Sequence, residues 1–493
     1  MLFNSFSFLV YFPIVTTLYF LLPHRLRWQM LLLSSCIFYM WFIPKYILVL
    51  ALTIVIDYFA GILIESAPAK SKKVYLIVSI VSTCMVLFAF KYFNFFTANF
   101  ALLADFFGLN YPAYTLEIIL PIGLSFHTFQ SLSYVIEVYR GNQRAEHHFG
   151  IYALYVMFYP QLVAGPIERP QNLLHQFYEK HTFDYARISS GLKLMAFGMF
   201  KKVVIADRLA ILVNQVYDNP TAYNGLGLII ATLFFAFQIY CDFSGYSDIA
   251  IGAAEVMGFK LMKNFDRPYF AKSISEFWKR WHISLSTWFK DYLYISLGGN
   301  RCGGLRMYFN LFLTFLVSGL WHGASWNYVI WGALNGFYLV FALATVSPRE
   351  KICKLLQMHR YPLLLKTWQI SITFALIAFS WIFFRAPDLA TALYIVQHLF
   401  NVSELSNLLF SSAQFNQITL FGNYTGMSGR ELLSAMLLLM LLTAIHLRQR
   451  HHTIREELSL RPFYIRWPLY YALVMSIIFW GVYGENQFIY FQF

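Results

Sequence analysis

Charged side chains are scarce in this sequence. Asp, Glu, Lys and Arg together supply 12% of its 493 residues, about half the ~25% typical of a soluble domain. Hydrophobic residues supply 59% and aromatic residues 20%, and mean hydropathy is +0.54. The shortage excludes a water-soluble globular class and leaves a polytopic membrane protein, with apolar sequence for roughly a dozen spans of about 20 residues each. Cysteine is scarce too. Cys36, Cys84, Cys241, Cys302 and Cys353 make an odd number with no CxxC pair, which argues against a disulfide framework and a zinc signature. No metal site is expected: His147–His148 and His451–His452 are adjacent pairs in charged loops, and neighbours on a helix point in different directions. The N-terminal stretch MLFNSFSFLVYFPIVTTLYFLLP lacks a basic n-region and a small-residue cleavage site, so it reads as a first membrane segment rather than a cleaved signal. Internal repeats, low-complexity tracts and a separate soluble domain are all missing, and 1–493 reads as one membrane domain.

What charge there is has a pattern. The 37 Lys and Arg outnumber the 24 Asp and Glu, for a net charge of +13. The basic residues gather in loops between apolar runs, as the positive-inside rule expects, which makes nucleic-acid binding a poor reading. Residues 259–310 carry nine of them (Lys260, Lys263, Arg267, Lys272, Lys279, Arg280, Lys290, Arg301 and Arg306) against three acids, which argues for a cytoplasmic face. Loops 66–73 and 447–466 read the same way, and the polar stretch 401–430 reads as an external loop. Apolar runs at 6–22, 28–43, 46–64, 74–92, 93–107, 117–138, 150–165, 189–213, 226–241, 247–258, 308–321, 326–345, 366–384, 432–446 and 467–483 predict about 11–13 crossings. Several are too short to span, so some are expected to be re-entrant or interfacial. The fold class expected is an all-α polytopic membrane protein.

Polar residues inside such a chain are costly at membrane depth and are functional candidates. Two histidines stand out within 276–336, in EFWKRWHISLSTWFKDYLYISLGGNR and SGLWHGASWNYVIWGALNG: His282 and His322. His322 precedes an apolar run, on an expected helix over 318–345. It is either a buried, hydrogen-bonded histidine or a general base able to take a hydroxyl proton during acyl transfer. The chain has no Gly-x-Ser-x-Gly elbow there to supply a serine nucleophile. Trp278, Trp281, Leu285 and Trp288 recur at helical spacing over 274–296. They predict an amphipathic helix that either anchors at the membrane surface or folds inward to line a cytoplasmic entrance with His282 at its mouth. GPIERP (165–170) should break a helix and set Glu168 and Arg169 at a helix end or a cavity edge. Asp242, Asp248 and Ser244 fall between apolar runs; Ser244 or Asp242 is expected to cap a helix starting near Tyr246, or else to orient a buried polar group. On 120–141, His127, Ser131 and Tyr134 share one helical face, suited to helix–helix hydrogen bonding or to lining a cavity.

The two stretches around His282 and His322, together with YPQLVAGPIERP, PIGLSFHTFQSLSYVIEVYRG and IYCDFSGYSDIAIG in the same order, strongly resemble the membrane-bound O-acyltransferase family from the N-terminus to about residue 390. Within it the sequence resembles the bacterial alginate O-acetylation proteins and their peptidoglycan O-acetylating relatives, and more distantly the D-alanyl transferases of teichoic acids. The resemblance implies a helical bundle around a central funnel, with the family's catalytic histidine at His322. A second family histidine falls at His282, in a cytoplasmic re-entrant region over 259–310. It implies acetyl-CoA as the donor from the cytoplasm, a polysaccharide acceptor beyond the bacterial cytoplasmic (inner) membrane, and an extracytoplasmic SGNH-type acetyltransferase partner. His127 stands where many relatives place an aromatic residue, which makes a functional role for it doubtful. A transporter of an acyl donor or small solute is the alternative, since broken helices and buried polar groups suit transporters as well, although no inverted repeat is visible.

Overall fold

The structure, a computed structural model, describes residues 1–109, 111–112, 114–163, 165–223, 225–401, 428–449, 453–483 and 488–489. Among these residues every regular element is helical, and the chain is an all-α polytopic membrane protein. Among the described residues seven helices are long and apolar enough to cross a membrane: Pro44–Ser66, Ala69–Phe106, Gly225–Met257, Trp326–Ala344, Pro362–Arg385, Gly429–Arg448 and Phe463–Trp480. Phe6–Leu21 is apolar but shorter.

Several expected boundaries move. The runs at 74–92 and 93–107 join into one helical stretch, Ala69–Phe106, through a π-turn at Phe88–Tyr92. The runs at 226–241 and 247–258 are one 33-residue helix, Gly225–Met257, about 50 Å long at 1.5 Å per residue. The run at 150–165 does break, at Phe158 just before Pro160 and so upstream of GPIERP, into Phe149–Met157 and the short turn Tyr159–Leu162. The expected external loop at 401–430 and the pair His451–His452 lie mostly or wholly outside the described residues.

The chain divides into two compact units, Met1–Met195 with Tyr246–Lys263, and Ala196–Gly245 with Asn264–Phe493. In the first, helices Ile47–Ser66, Ala69–Leu87 and Leu124–Tyr139 pack together. The packing is close at Gly61, where a Cβ would lie 2.7 Å from the Tyr134 ring. On the same helix Asp57 is fully buried. Its carboxylate accepts hydrogen bonds from Ser79 Oγ at 2.6 Å and Thr83 Oγ1 at 3.1 Å. These hydroxyls are what makes a carboxyl tolerable at that depth. Asp57→Asn, which keeps an acceptor, is expected to unfold within a degree or two of wild type. Asp57→Ala, which strands two buried hydroxyls, should lose about 1–3 kcal/mol. Thermal melting of the detergent-solubilised protein checks both.

In the second unit, Gly304–His322 and Trp326–Ala344 form a tight helical hairpin. Its seam is glycine. A Cβ on Gly332 would meet the Phe315 carbonyl and lie 3.0 Å from Gly319 Cα, and one on Gly336 would lie 3.2 Å from Phe312 Cα. Small residues let two membrane helices approach this closely, because packing has to replace the hydrophobic drive that lipid removes. Pro362–Arg385 packs against Trp326–Ala344 and completes the surroundings of the hairpin's turn.

Candidate active site

The helix expected over 318–345 is divided. His322 is the last residue of Gly304–His322, Gly323 to Ser325 turn the chain, and Trp326 opens the next helix. Residue 323 has to be glycine, because the Tyr328 ring fills the space a side chain there would need. His322 therefore sits at a helix end with its ring inside the unit, 5% exposed. Three aromatic rings surround it edge-on: Trp321 at 4.8 Å, Trp331 at 4.9 Å and Phe384 at 5.3 Å between centroids. Aromatic walls exclude water while leaving the imidazole's nitrogens chemically competent, the setting a general base requires.

His282 is built differently. Its backbone is left-handed, φ 42° and ψ 56°, a conformation that costs a non-glycine residue about 1–2 kcal/mol. Neighbouring bonds hold it there. Asn264 accepts the Ile283 N–H through its carbonyl at 2.9 Å, and its side-chain oxygen accepts the Ser284 N–H at 3.3 Å and the Ser284 hydroxyl at 2.9 Å. The Asp266 N–H donates to the Arg280 carbonyl at 2.9 Å. Strain fixed this firmly by its surroundings is characteristic of functional sites. The imidazole is 1% exposed and meets the Phe243 ring edge-on at 4.5 Å. Burial pushes its pKa down to about 3, so it is neutral at physiological pH.

That turn also overrules the amphipathic helix expected over 274–296. The segment is two short helices, Ile274–Trp278 and Ile283–Trp288, followed by a π-turn at Phe289–Tyr294. Trp281 and Trp288 face the protein interior, at 1% and 7% exposure, rather than a membrane surface. The helical spacing is real in the sequence, but the left-handed residue at 282 re-aims everything after it. Just ahead of it, Trp281 stacks on Phe277 at 5.5 Å and lies 5.1 Å from Trp381. Trp381 in turn stacks on Trp331 at 5.8 Å and 20°, and Trp331 meets His322. The immediate neighbour of one histidine is thus joined to the other through two indoles of the same unit.

A buried ionic network lies behind His282. Asp242 does not cap a helix, because it lies within Gly225–Met257. Its Oδ1 is 2.6 Å from Lys202 Nζ, which also reaches Asp207 Oδ1 at 3.0 Å. Its Oδ2 accepts the Ile489 N–H at 2.8 Å. Lys201 Nζ donates to Ser244 Oγ at 2.9 Å. Two successive lysines reach the same neighbouring helix because Phe200–Ala206 is a π-helical stretch, a distortion often found at functional sites. The three residues 242–244 are therefore each engaged, Asp242 by Lys202, Phe243 by His282 and Ser244 by Lys201. These partners keep the helix unbroken where the hydropathy dips. The lysine pair was visible in the sequence inside an otherwise apolar run, but its partners on the neighbouring helix, Asp242 and Ser244, lie about 40 residues away.

Glu168, His127 and their neighbours belong to the first unit. Glu168 is fully buried and accepts from the Met262 N–H and from Asn172 Nδ2 at 3.3 Å, while burial raises its carboxyl to about 7. His127 lies buried on helix Leu124–Tyr139. Among the described residues no group of three or more His, Cys, Asp and Glu could hold a metal ion.

The His282 shift has a consequence for stability. A histidine whose folded pKa is depressed binds fewer protons folded than unfolded, so stability is lost as pH falls from about 6.5 toward 3. The thermal midpoint of wild type should therefore drop more than that of His282→Gln between pH 7 and pH 4.5. Parallel curves for the two proteins would contradict a buried neutral imidazole.

Residues 140–396 match the membrane-bound O-acyltransferase family. The chain is 40% identical over 431 residues to the Pseudomonas aeruginosa protein named "Probable alginate O-acetylase AlgI", covering 85% of this chain and 80% of that one. It is 36% identical to the peptidoglycan O-acetyltransferase of Helicobacter pylori, covering 76% and 74%. To the teichoic acid D-alanyltransferase of Bacillus subtilis it is 27% identical, covering 53% and 68%. A multi-pass helical chain with a buried histidine site and this degree of similarity belongs to the membrane-bound O-acyltransferase family and is an O-acyltransferase.

Proposed function

We propose that this protein takes an acetyl group from a cytoplasmic acetyl thioester, acetyl-CoA, and passes it across the bacterial cytoplasmic membrane for O-acetylation of a cell-surface polysaccharide. The acceptor class is an alginate-like exopolysaccharide or peptidoglycan. An extracytoplasmic SGNH-type acetyltransferase completes the transfer. The similarity to alginate and peptidoglycan O-acetylating proteins over most of the chain supports the acceptor class. The basic segment 259–310 supports entry of the donor from the cytoplasm.

His322 acts as the general base. It takes the proton of the attacking hydroxyl as the oxygen adds to the thioester carbonyl, and returns it to the departing thiolate. The observation that carries this assignment is its position: a buried imidazole at the broken end of a helix, in the tight turn of a glycine-seamed hairpin and walled by Trp321, Trp331 and Phe384. His282 assists in holding donor or acyl group, fixed by its strained backbone and kept neutral by burial. The segments 259–310 and 318–345 are the working parts of a single membrane domain spanning 1–493.

The test is base-labile acetate released from cell-surface material, separated into peptidoglycan and exopolysaccharide, in wild type, deletion and His322→Ala strains. Acetate lost from the same fraction in both mutants identifies the acceptor and places His322 in the chemistry. A His322→Ala strain with normal acetate would exclude the base assignment, and normal acetate in the deletion would exclude the acceptor class.

A further inference from the structure

Trp331 and Trp381 are each 1% exposed, and among the described residues the indole Nε1–H of each has no hydrogen-bond acceptor. An indole nitrogen can only donate. A donor buried without a partner destabilises a fold, so an orphan of this kind in a packed interior calls for an explanation, of which a catalytic role is one. Of the two, Trp331 is the one in ring contact with His322, edge-on at 84° with 4.9 Å between centroids. Its ring is fixed from two further sides, by Trp381 stacked at 5.8 Å and by Phe384 at 5.3 Å. Its backbone is fixed by Gly332, which packs against Gly319 across the hairpin. A rigid, dry donor beside a base is what the carbonyl oxygen of an acyl group requires at the moment it becomes negative.

We propose that the Nε1–H of Trp331 is the hydrogen-bond donor that binds the acyl carbonyl oxygen and stabilises the oxyanion during transfer. This rests on the reading of His322 as the base. The hydroxyl oxygen of the acceptor forms a bond to the thioester carbonyl carbon while its proton moves to His322. The carbonyl π pair moves onto oxygen, which takes its hydrogen bond from Trp331. The oxyanion then collapses, the C–S bond breaks, and the thiolate leaves with the proton returned by His322. Trp331 neither gains nor loses a proton at any step, and its contribution is greatest at the tetrahedral stage.

Trp331→Phe keeps an aromatic ring against Trp381 and removes only the donor. The assay is thiol release from acetyl-CoA by the purified full chain in proteoliposomes supplied with an alginate oligosaccharide as hydroxyl acceptor, with His322→Ala run alongside. The expected result for Trp331→Phe is a kcat lower by about 10²-fold, the effect of losing one oxyanion donor. KM should stay within about twofold, because an interaction formed only in the transition state leaves KM unchanged. The thermal midpoint should be unchanged or higher, since the orphan donor is gone. A tryptophan needed only for packing would give the reverse, a lower midpoint with little change in kcat, and that result overturns the proposal. Should the phenylalanine variant not assemble, benzothienylalanine at position 331, in which sulfur replaces the N–H of an otherwise similar ring, gives the same two outcomes. His322→Ala inactive with Trp331→Phe fully active refutes the donor alone. His322→Ala fully active with Trp331→Phe impaired refutes the base and leaves the donor standing.

Discussion

Purified His322→Gln is expected to transfer acyl groups about 10²–10⁴-fold more slowly than wild type, the range for losing a positioned general base, while its thermal midpoint moves little. Glutamine fills most of the space of the imidazole between Trp321, Trp331 and Phe384. It can still hydrogen-bond, but it cannot take a proton from a hydroxyl at neutral pH. Alanine at the same position should be as inactive and less stable, because it opens a cavity among aromatic rings. The pairing of the two variants separates chemistry from packing: equal loss of rate with unequal loss of stability is the outcome expected. Rate within a few-fold of wild type in His322→Gln would remove His322 from the chemistry.

Lys202→Met should be the most destabilising single change in the second unit. Lys202 is 1% exposed and its ammonium is shared between Asp242 and Asp207, both 3% exposed. Deleting it leaves two carboxylates facing each other without a cation. Breaking one side of a buried ionic contact costs about 3–5 kcal/mol, because the remaining charge is neither solvated nor paired. Replacing the whole network with neutral residues of similar shape, Lys202→Met with Asp207→Asn and Asp242→Asn, should recover most of that loss, since no uncompensated charge remains. The comparison is made by denaturant or thermal unfolding in the same detergent. A single variant as stable as wild type would show that the lysine is not holding the two acids together. Function should follow stability here through geometry: Asp242 adjoins Phe243, which meets the His282 ring at 4.5 Å.

Membrane class, helical fold and the two histidines could be read from the sequence alone, and each for a local reason. A charged fraction of 12% leaves the chain no way to be soluble, and backbone groups in lipid have no alternative to helix or closed barrel. The helix over 150–165 breaks just before Pro160, because a proline in a helix interior removes a backbone donor and clashes with the preceding turn. His282 and His322 stood out because ionisable groups are rare in such surroundings.

What the sequence could not decide are matters of partners. The dip in hydropathy at Asp242 and Ser244 reads as a boundary between two helices, yet Gly225–Met257 runs straight through it because Lys202 and Lys201 neutralise the dip from another helix. The tryptophans at 278, 281 and 288 read as an interfacial stripe, yet the left-handed turn at His282, held by Asn264, breaks that helix, and both Trp281 before it and Trp288 after it are buried in the interior. The helix expected over 318–345 is divided after His322 by an extended Gly323, whose missing side chain leaves room for the Tyr328 ring. Periodicity and hydropathy describe how a segment would behave alone in lipid. Whether a polar residue ends a helix or an indole faces the membrane depends on which distant side chains meet it, and only the packed structure supplies those.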